Sequence, residues 1–315
     1  MPSLRVVFMG TPDFAVPALR KLSDVTDLIL VVTQPDRKAG RGRKMTPPPV
    51  KVEAMNLGLE VLQPEKTGSR VFRDHISRLE PDLIVTVAYG KILKKRVLDI
   101  PEKGCINVHA SLLPKYRGAA PVNWALIRGE KETGVSIMQM DEGLDTGPVL
   151  MQESIPVGPD ETAGEVHDSL SDLGSRVLLK TIEQIDALVP TPQDDAVSSY
   201  APKLSREDCR IDWNRTAAEV HNRVRGLSPK PGAFTFMNNC RLQILRSTPV
   251  SMCSGYNPGD VTCSERGNMT VACREGGIEL IEIKPAGKRS MRCEQFLAGR
   301  QIRTGMKMNP CKDGD

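Results

Sequence analysis

Over the first 110 residues, short apolar runs alternate with helical segments. Leu4–Met9, Asp27–Thr33, Leu59–Leu62, Asp82–Val87 and the run starting at Cys105 read as strands, rich in Val, Ile and Leu. Ala15–Leu22, Val50–Leu57, Ser69–Leu79 and Ile92–Leu98 read as helices between them. Thr11 is expected to cap the first helix, with Pro12 in its first turn and Pro17 limiting or kinking that turn. Val71, Phe72, Ile76 and Leu79 are expected on one side of the third. Ala119–Arg128 reads as another helix and Val149–Val157 as extended. A longer helix begins at a Thr162 cap, with Val166, Leu170, Leu173, Val177, Thr181, Ile185 and Leu188 forming a core-facing stripe. The alternation predicts an α/β fold: an open parallel sheet covered by helices on both faces.

The pattern changes after residue 189. Pro190-Thr191-Pro192-Gln193-Asp194-Asp195 has the composition of a linker. One helix, Thr216–Arg225, is followed by short strands at Ala233–Met237, Arg241–Thr248, Gly259–Cys263, Met269–Cys273 and Ile278–Lys284. Five short strands at this spacing suit a small barrel of the oligonucleotide-binding type. The expected division is therefore 1–189, a linker at 190–207, and a barrel domain at 208–315. Residues 208–315 carry 17 Lys and Arg against 11 Asp and Glu, while the remainder is slightly acidic. A basic module suits a polyanionic partner, although a mildly basic solvated surface has the same charge.

Several classes are disfavoured. No apolar run approaches the roughly 20 residues of a membrane span. The chain enters its first strand directly, so a mature cytosolic protein is expected. The eight cysteines form no Cys-x-x-Cys pair and have no His at metal-ligand spacing, so free thiols and no metal are expected. A strand, turn and helix at the start suit a dinucleotide fold, but Gly10 is followed by Pro12 where a second glycine is required. No Walker phosphate loop occurs either. His75, His167 and His221 are expected at the surface, and Trp124 and Trp213 in the core.

Chemistry concentrates in Gly104–Gly118. Cys105, Ile106 and Val108 start a buried strand, and residues two apart share a face, so Asn107 and His109 point the same way. Pro114 and Gly118 then end regular structure. Ligands bind outside the carboxyl ends of strands in such sheets. An imidazole exchanges protons near neutrality and an amide donates to an oxyanion. Asp145, in the Gly-rich turn after a strand at Val135–Met140, is the carboxylate expected to join them. Asn-x-His alone is more often ordinary polar packing. A second unusual stretch, Gln34–Pro49, holds Arg37, Lys38, Arg41, Arg43 and Lys44. It is long for a strand-to-helix connection, and suits either a mobile phosphate-binding loop or a disordered one.

Asn107 through Pro121 (NVHASLLPKYRGAAP) resembles the signature of formyltransferases that use 10-formyltetrahydrofolate, as do Gly10–Phe14, Val87–Gly90 and Met138–Asp141 leading to Asp145-Thr146-Gly147. The branch of that superfamily acting on methionyl-tRNA resembles the chain end to end, including the basic loop, Tyr200–Ser205, Ile211–Trp213 and Lys284–Lys288. The resemblance implies a Rossmann-like domain joined to an oligonucleotide-binding-like barrel. It implies Asn107, His109 and Asp145 as catalytic residues, and Ser111, Leu112, Leu113 and Pro114 lining the folate pocket with Tyr89 and Gly90 nearby. It further implies that Arg37, Lys38, Arg41, Arg43 and Lys44 meet the acceptor end of initiator methionyl-tRNA, and that the protein is a monomer. Two alternatives stay open. One is a related enzyme acting on a nucleotide sugar or purine precursor; the other is a non-catalytic RNA-binding protein with a decayed site.

Overall fold

The structure, a computed structural model, describes residues 4–39, 42, 44–253, 255–263, 268–298 and 306–309. The chain divides into two compact units: residues 1–118, 133–155 and 167–201 form one, and residues 119–132, 156–166 and 202–315 the other. Among the described residues no helix is long and apolar enough to cross a membrane.

In the first unit, β1 (Arg5–Gly10), α1 (Val16–Val25) and β2 (Asp27–Val32) are followed by a ribbon of β3 (Arg37–Ala39) and β4 (Lys44–Thr46). Then come α2 (Pro49–Asn56), β5 (Val61–Leu62), α3 (Arg70–Arg78), β6 (Leu83–Val87), α4 (Lys95–Leu98), β7 (Cys105–His109) and β8 (Arg117–Gly118). The chain passes through α5 (Pro121–Ile127), which belongs to the second unit, and continues as β9 (Glu132–Gln139), β10 (Val149–Pro156), α6 (Ala163–Glu183) and β11 (Tyr200–Ala201). The main sheet has the order β10-β9-β7-β6-β1-β2-β5. Val6, Val7, Phe8 and Met9 of β1 are fully buried, as a strand covered on both faces requires.

The pairs among β7, β6, β1, β2 and β5 are parallel, but β9 runs antiparallel to β7. A parallel neighbour needs a crossover that returns the chain to the start of the sheet. The connection from β7 to β9 provides no such return: its one helix, α5, belongs to the second unit. Other local differences have plain causes. Thr11 does not cap a helix; its hydroxyl donates to the Tyr89 carbonyl at 3.0 Å, and a 3-10 turn at Asp13–Ala15 precedes α1. Pro17 lies in the first turn of α1, where its missing N–H costs nothing. In α3, capped by Ser69, Phe72 and Ile76 are buried but Val71 is 81% exposed, because it lies about 100° round the helix from Phe72. The α4 helix is shorter than the expected Ile92–Leu98.

The second unit contains α7 (Ala217–Leu227), β12 (Ala233–Met237), β13 (Cys240–Val250), β14 (Val261–Cys263), β15 (Met269–Ala272), β16 (Gly277–Pro285), β17 (Met291–Arg292), α8 (Cys293–Ala298) and β18 (Met308–Asn309). Its sheet runs β14-β15-β16-β13-β12-β18. It curls round until the Met308 amide donates to Gly259 and the Val261 amide donates to Met306, bridging the two ends. Phe234, Ile244, Val271 and Ile283 fill the interior with Val224 and Leu227 of α7. Thr216 and Glu219 cap α7 reciprocally. Trp213 is buried, donating from Nε1 to Thr235 Oγ1 at 3.1 Å. His221 is not a surface residue: its ring is 6% exposed, with Nδ1 3.2 Å from Ser247 Oγ and Nε2 3.0 Å from the Pro159 carbonyl. It faces inward from α7 because it follows Val220 on the packed side. His167, half-exposed, packs against the Phe14 ring at 5.0 Å.

The start of α6 carries a pH-dependent contact. The Glu165 carboxyl is held down to about 2 from an ordinary 4.5, first by the Thr162 amide and then by the Arg246 guanidinium. A depressed carboxylate stabilises the fold above its unfolded pKa and loses that contribution as pH falls through the folded one. Glu165→Gln should therefore melt below wild type at neutral pH, with the gap narrowing between pH 4.5 and about 2. Thermal melts across that window check it; a constant gap would remove the electrostatic explanation.

Candidate active site

At the carboxyl end of β7, strand alternation places Asn107 and His109 on one face and Val108 on the other. Behind Val108 passes α6. A Cβ built on Gly174 would lie 3.0 Å from Val108 Cγ1, so the helix approaches closely there. Asn107 sits opposite Thr86 of β6, whose hydroxyl is 2.8 Å from Asn107 Oδ1 and 3.2 Å from Met140 Sδ. With Oδ1 accepting, the Asn107 NH2 group is left to donate.

The His109 side chain is 6% exposed. Its Nε2 lies 2.9 Å from the Tyr116 carbonyl oxygen. A carbonyl only accepts, so Nε2 carries the hydrogen and Nδ1 is the atom turned toward Asp145. Asp145 Oδ2 is 3.7 Å from Nδ1, within ion-pair range but too long for a direct hydrogen bond. The same oxygen accepts from the Gly118 amide at 2.8 Å. Asp145 adopts φ +55°, a left-handed conformation that aims its carboxylate back over the sheet. Gly118 is held by the pairing of β8 with β11 and has φ +116°; a Cβ there would meet the Tyr200 ring at 2.6 Å.

The Ser111–Pro114 loop is fastened by residues that sequence reasoning passed over. Ser136, fully buried on β9 opposite His109, accepts from the Leu113 amide at 3.0 Å and donates to the Ser111 carbonyl at 2.6 Å. Gln152 Nε2 donates to the Leu113 carbonyl at 2.8 Å. The signal was a lone hydroxyl within the apolar run Val135–Met140, because a buried polar group needs a partner. Leu112 lies over Gly134, where an added Cβ would come within 2.5 Å of its Cδ2.

A cleft of 830 Å³ opens at the other end of β7, lined in part by Leu98, Gly104, Cys105, Met140 and Asp141, and none of Asn107, His109 and Asp145 lines it. Tyr89 forms one apolar cluster with Leu98, Cys105 and Met140, so its ring is buried rather than in the open. Burial pushes its phenol up to about 12. The Tyr89 carbonyl accepts from Thr11 and Gln34, and Gly90 turns the chain at φ +79°.

The basic stretch is a two-stranded ribbon rather than an open loop, with Arg37 opposite Thr46 and Lys38 opposite Met45. Pairing of Arg37–Ala39 with Lys44–Thr46 gives the described flanks an ordered form. Arg37, Lys38 and Lys44 are exposed, and Arg37 also donates to Gln34 Oε1 at 3.1 Å. Arg41 and Arg43 lie outside the described residues. Seven cysteines are free thiols, and Cys311 lies outside the described residues. Among the described residues no group of three His, Cys, Asp or Glu is placed to hold a metal ion.

A family model described as Formyl transferase matches residues 4–182, and one described as Formyl transferase, C-terminal domain matches residues 203–301. The chain is 47% identical to a methionyl-tRNA formyltransferase of Citrifermentans bemidjiense, over 97% of this chain and 96% of that one. It is 48% identical to that of Geobacter sulfurreducens, over 98% of each. Among solved structures, an N-formyltransferase of Helicobacter canadensis in complex with folinic acid and dTDP-3-aminofucose has a TM-score of 0.66 at 21% identity, covering 88% of this chain and 98% of that one. HypX of Aquifex aeolicus in complex with tetrahydrofolic acid has a TM-score of 0.64 at 17% identity, covering 99% of this chain and 50% of that one. The structural likenesses speak for the fold, whereas near-half identity over almost the full length places this chain in the methionyl-tRNA formyltransferase family.

Proposed function

We propose that this chain transfers the formyl group of 10-formyltetrahydrofolate to the α-amino group of methionine carried on initiator tRNA, with Asn107, His109 and Asp145 as the catalytic residues. The observation that carries the reading is the convergence of an amide, an imidazole and a carboxylate at one strand end, in a chain 47% identical to a methionyl-tRNA formyltransferase over nearly its whole length. Folate compounds bound to fold relatives support a folate donor. Ser111, Leu112, Leu113 and Pro114, with Tyr89 and Gly90, shape the donor site in this reading.

The amine nitrogen attacks the formyl carbon, and the formyl oxygen becomes an oxyanion. The Asn107 amide and the protonated Nδ1 of His109 donate to it. A bond then breaks between that carbon and the folate N10, which leaves as an amine. One proton must depart the attacking nitrogen and one must reach N10. The Asp145 carboxylate holds the imidazolium beside it and receives the first, directly or through a water; the imidazolium gives its Nδ1 proton to N10, and Asp145 then returns the proton it took to Nδ1, restoring both groups. The 3.7 Å gap between Asp145 and His109 leaves each free to address the reacting atoms rather than only each other. Formylation of charged initiator and elongator methionyl-tRNA, with and without the folate, tests the reading. Transfer to the initiator that depends on the folate supports it; none under any condition would sink it.

Arg37, Lys38, Arg41, Arg43 and Lys44 contact the acceptor-arm phosphates, and the basic unit around residues 208–315 holds the same arm. The protein works as a monomer in the cytoplasm. Arg41→Ala should weaken initiator formylation far more than folate binding. Lys38→Ala should reduce the salt dependence of tRNA affinity by about one unit of log–log slope. An unchanged slope would take Lys38 off the tRNA.

A further inference from the structure

Residues 190–195 have the composition of a linker, yet the segment from Thr191 to Ser199 is fastened to both loops of the active site. Gln193 is the centre of this attachment. Its Nε2 donates to the Asp145 carbonyl at 2.9 Å and to the Gly147 carbonyl at 2.7 Å. Its Oε1 accepts from Arg117 Nε at 3.0 Å, and Arg117 also pairs with Asp195 at 2.8 Å. Thr191 and Val149 exchange both backbone hydrogen bonds at 2.8 Å. Six residues on from Gln193, Ser199 Oγ accepts from the Tyr116 amide at 2.9 Å, and Tyr116 is the residue whose carbonyl holds His109.

We propose that Gln193 is a positioning residue for formyl transfer. It holds the Asp145 backbone in its left-handed conformation, and Arg117 ties that turn to the loop carrying Gly118 and His109's carbonyl partner. A non-glycine residue at φ +55° relaxes toward a commoner conformation unless its surroundings hold it. Relaxation would swing the carboxylate off the Gly118 amide and away from His109. Only a side-chain amide meets all the demands at position 193. It gives two donors to two carbonyls and one acceptor to a guanidinium. A glutamate has the same shape but sets an anion against both carbonyls.

This inference rests on the active-site reading above, and the experiment separates the two. Gln193→Ala and Gln193→Glu are made in the wild type and in Asp145→Asn, and kcat and KM are measured for 10-formyltetrahydrofolate and charged initiator tRNA, with melting temperatures alongside. The expected result is a kcat loss on the order of 10- to 100-fold with KM changed less than about 3-fold. Glu should be as damaging as Ala, and the loss should disappear in the Asp145→Asn background. Wild-type kcat in Gln193→Ala, full activity in Gln193→Glu, or a loss that multiplies with that of Asp145→Asn would each overturn it. If Asp145→Asn alone turns over normally, the active-site assignment fails, and the route through Asp145 fails with it. Should Gln193→Ala not fold, the isosteric Gln193→Glu still decides the matter.

Discussion

His109→Ala is expected to lower kcat on the order of 10³-fold while the protein still folds. One oxyanion donor is worth roughly 10²–10³ in rate, and a group that also handles a proton adds to that. The cost to stability is smaller. Removing the ring leaves the buried Tyr116 carbonyl without the 2.9 Å partner it now has, a loss of about 1–3 kcal/mol. Asn107→Ala should lose about 10²-fold, because Thr86 orients its amide but no proton passes through it. Single-turnover formylation at saturating folate and tRNA separates chemistry from binding. Turnover near wild type in a correctly folded His109→Ala variant would remove the imidazole from the mechanism.

Gly118→Ala should damage stability and catalysis together. Its backbone, at φ +116°, lies where side chains are rarely found, and the added carbon would meet the Tyr200 ring at 2.6 Å and the Ala201 carbonyl at 2.7 Å. Neither obstacle yields cheaply, since one is backbone and the other a ring paired through β8 and β11. A loss of about 3 kcal/mol is expected. At a temperature where the variant stays folded, kcat should still fall on the order of 10²-fold, because the Gly118 amide that holds Asp145 Oδ2 at 2.8 Å is displaced. Gly58→Ala is the control. It has φ +69° but nothing within 4 Å of the added carbon, so it isolates backbone strain, about 1 kcal/mol. Equal melting shifts in the two variants would refute the steric argument.

Much of the first unit was legible before any coordinates. The strands at β1, β2, β6 and β7 appeared as apolar runs, and period-two alternation alone put Asn107 and His109 on one face. The stripe on α6 was readable through Thr181, and the capping box at Thr162 and Glu165 marks where that helix begins. The five expected strands of the second unit all occur, because turn residues bracket each of them. What escaped has a common character. Val71 and His221 were misplaced because a helical wheel shows periodicity but not which angle meets the core. The reversal of β9 depended on where the whole connection runs, since its helix α5 belongs to the second unit, and no local pattern records that. Gln193 was hidden by the linker composition around it.

The chain's order of residues determined its elements, the face on which Asn107 and His109 lie, and the donor and acceptor groups available to a reaction. Those properties come from steric and hydrogen-bonding preferences acting within a few residues. Only the tertiary structure decided that Asp145 reaches His109, that Ser136 and Gln152 fasten the Ser111–Pro114 loop, and that residues 190–201 bind back onto the site. Those contacts join groups 27, 48 and 83 positions apart, at Gly118–Asp145, Asp145–Gln193 and Tyr116–Ser199. Closing such loops costs entropy that local preference cannot repay, so the packing of the finished sheet and helices selects which distant partners meet.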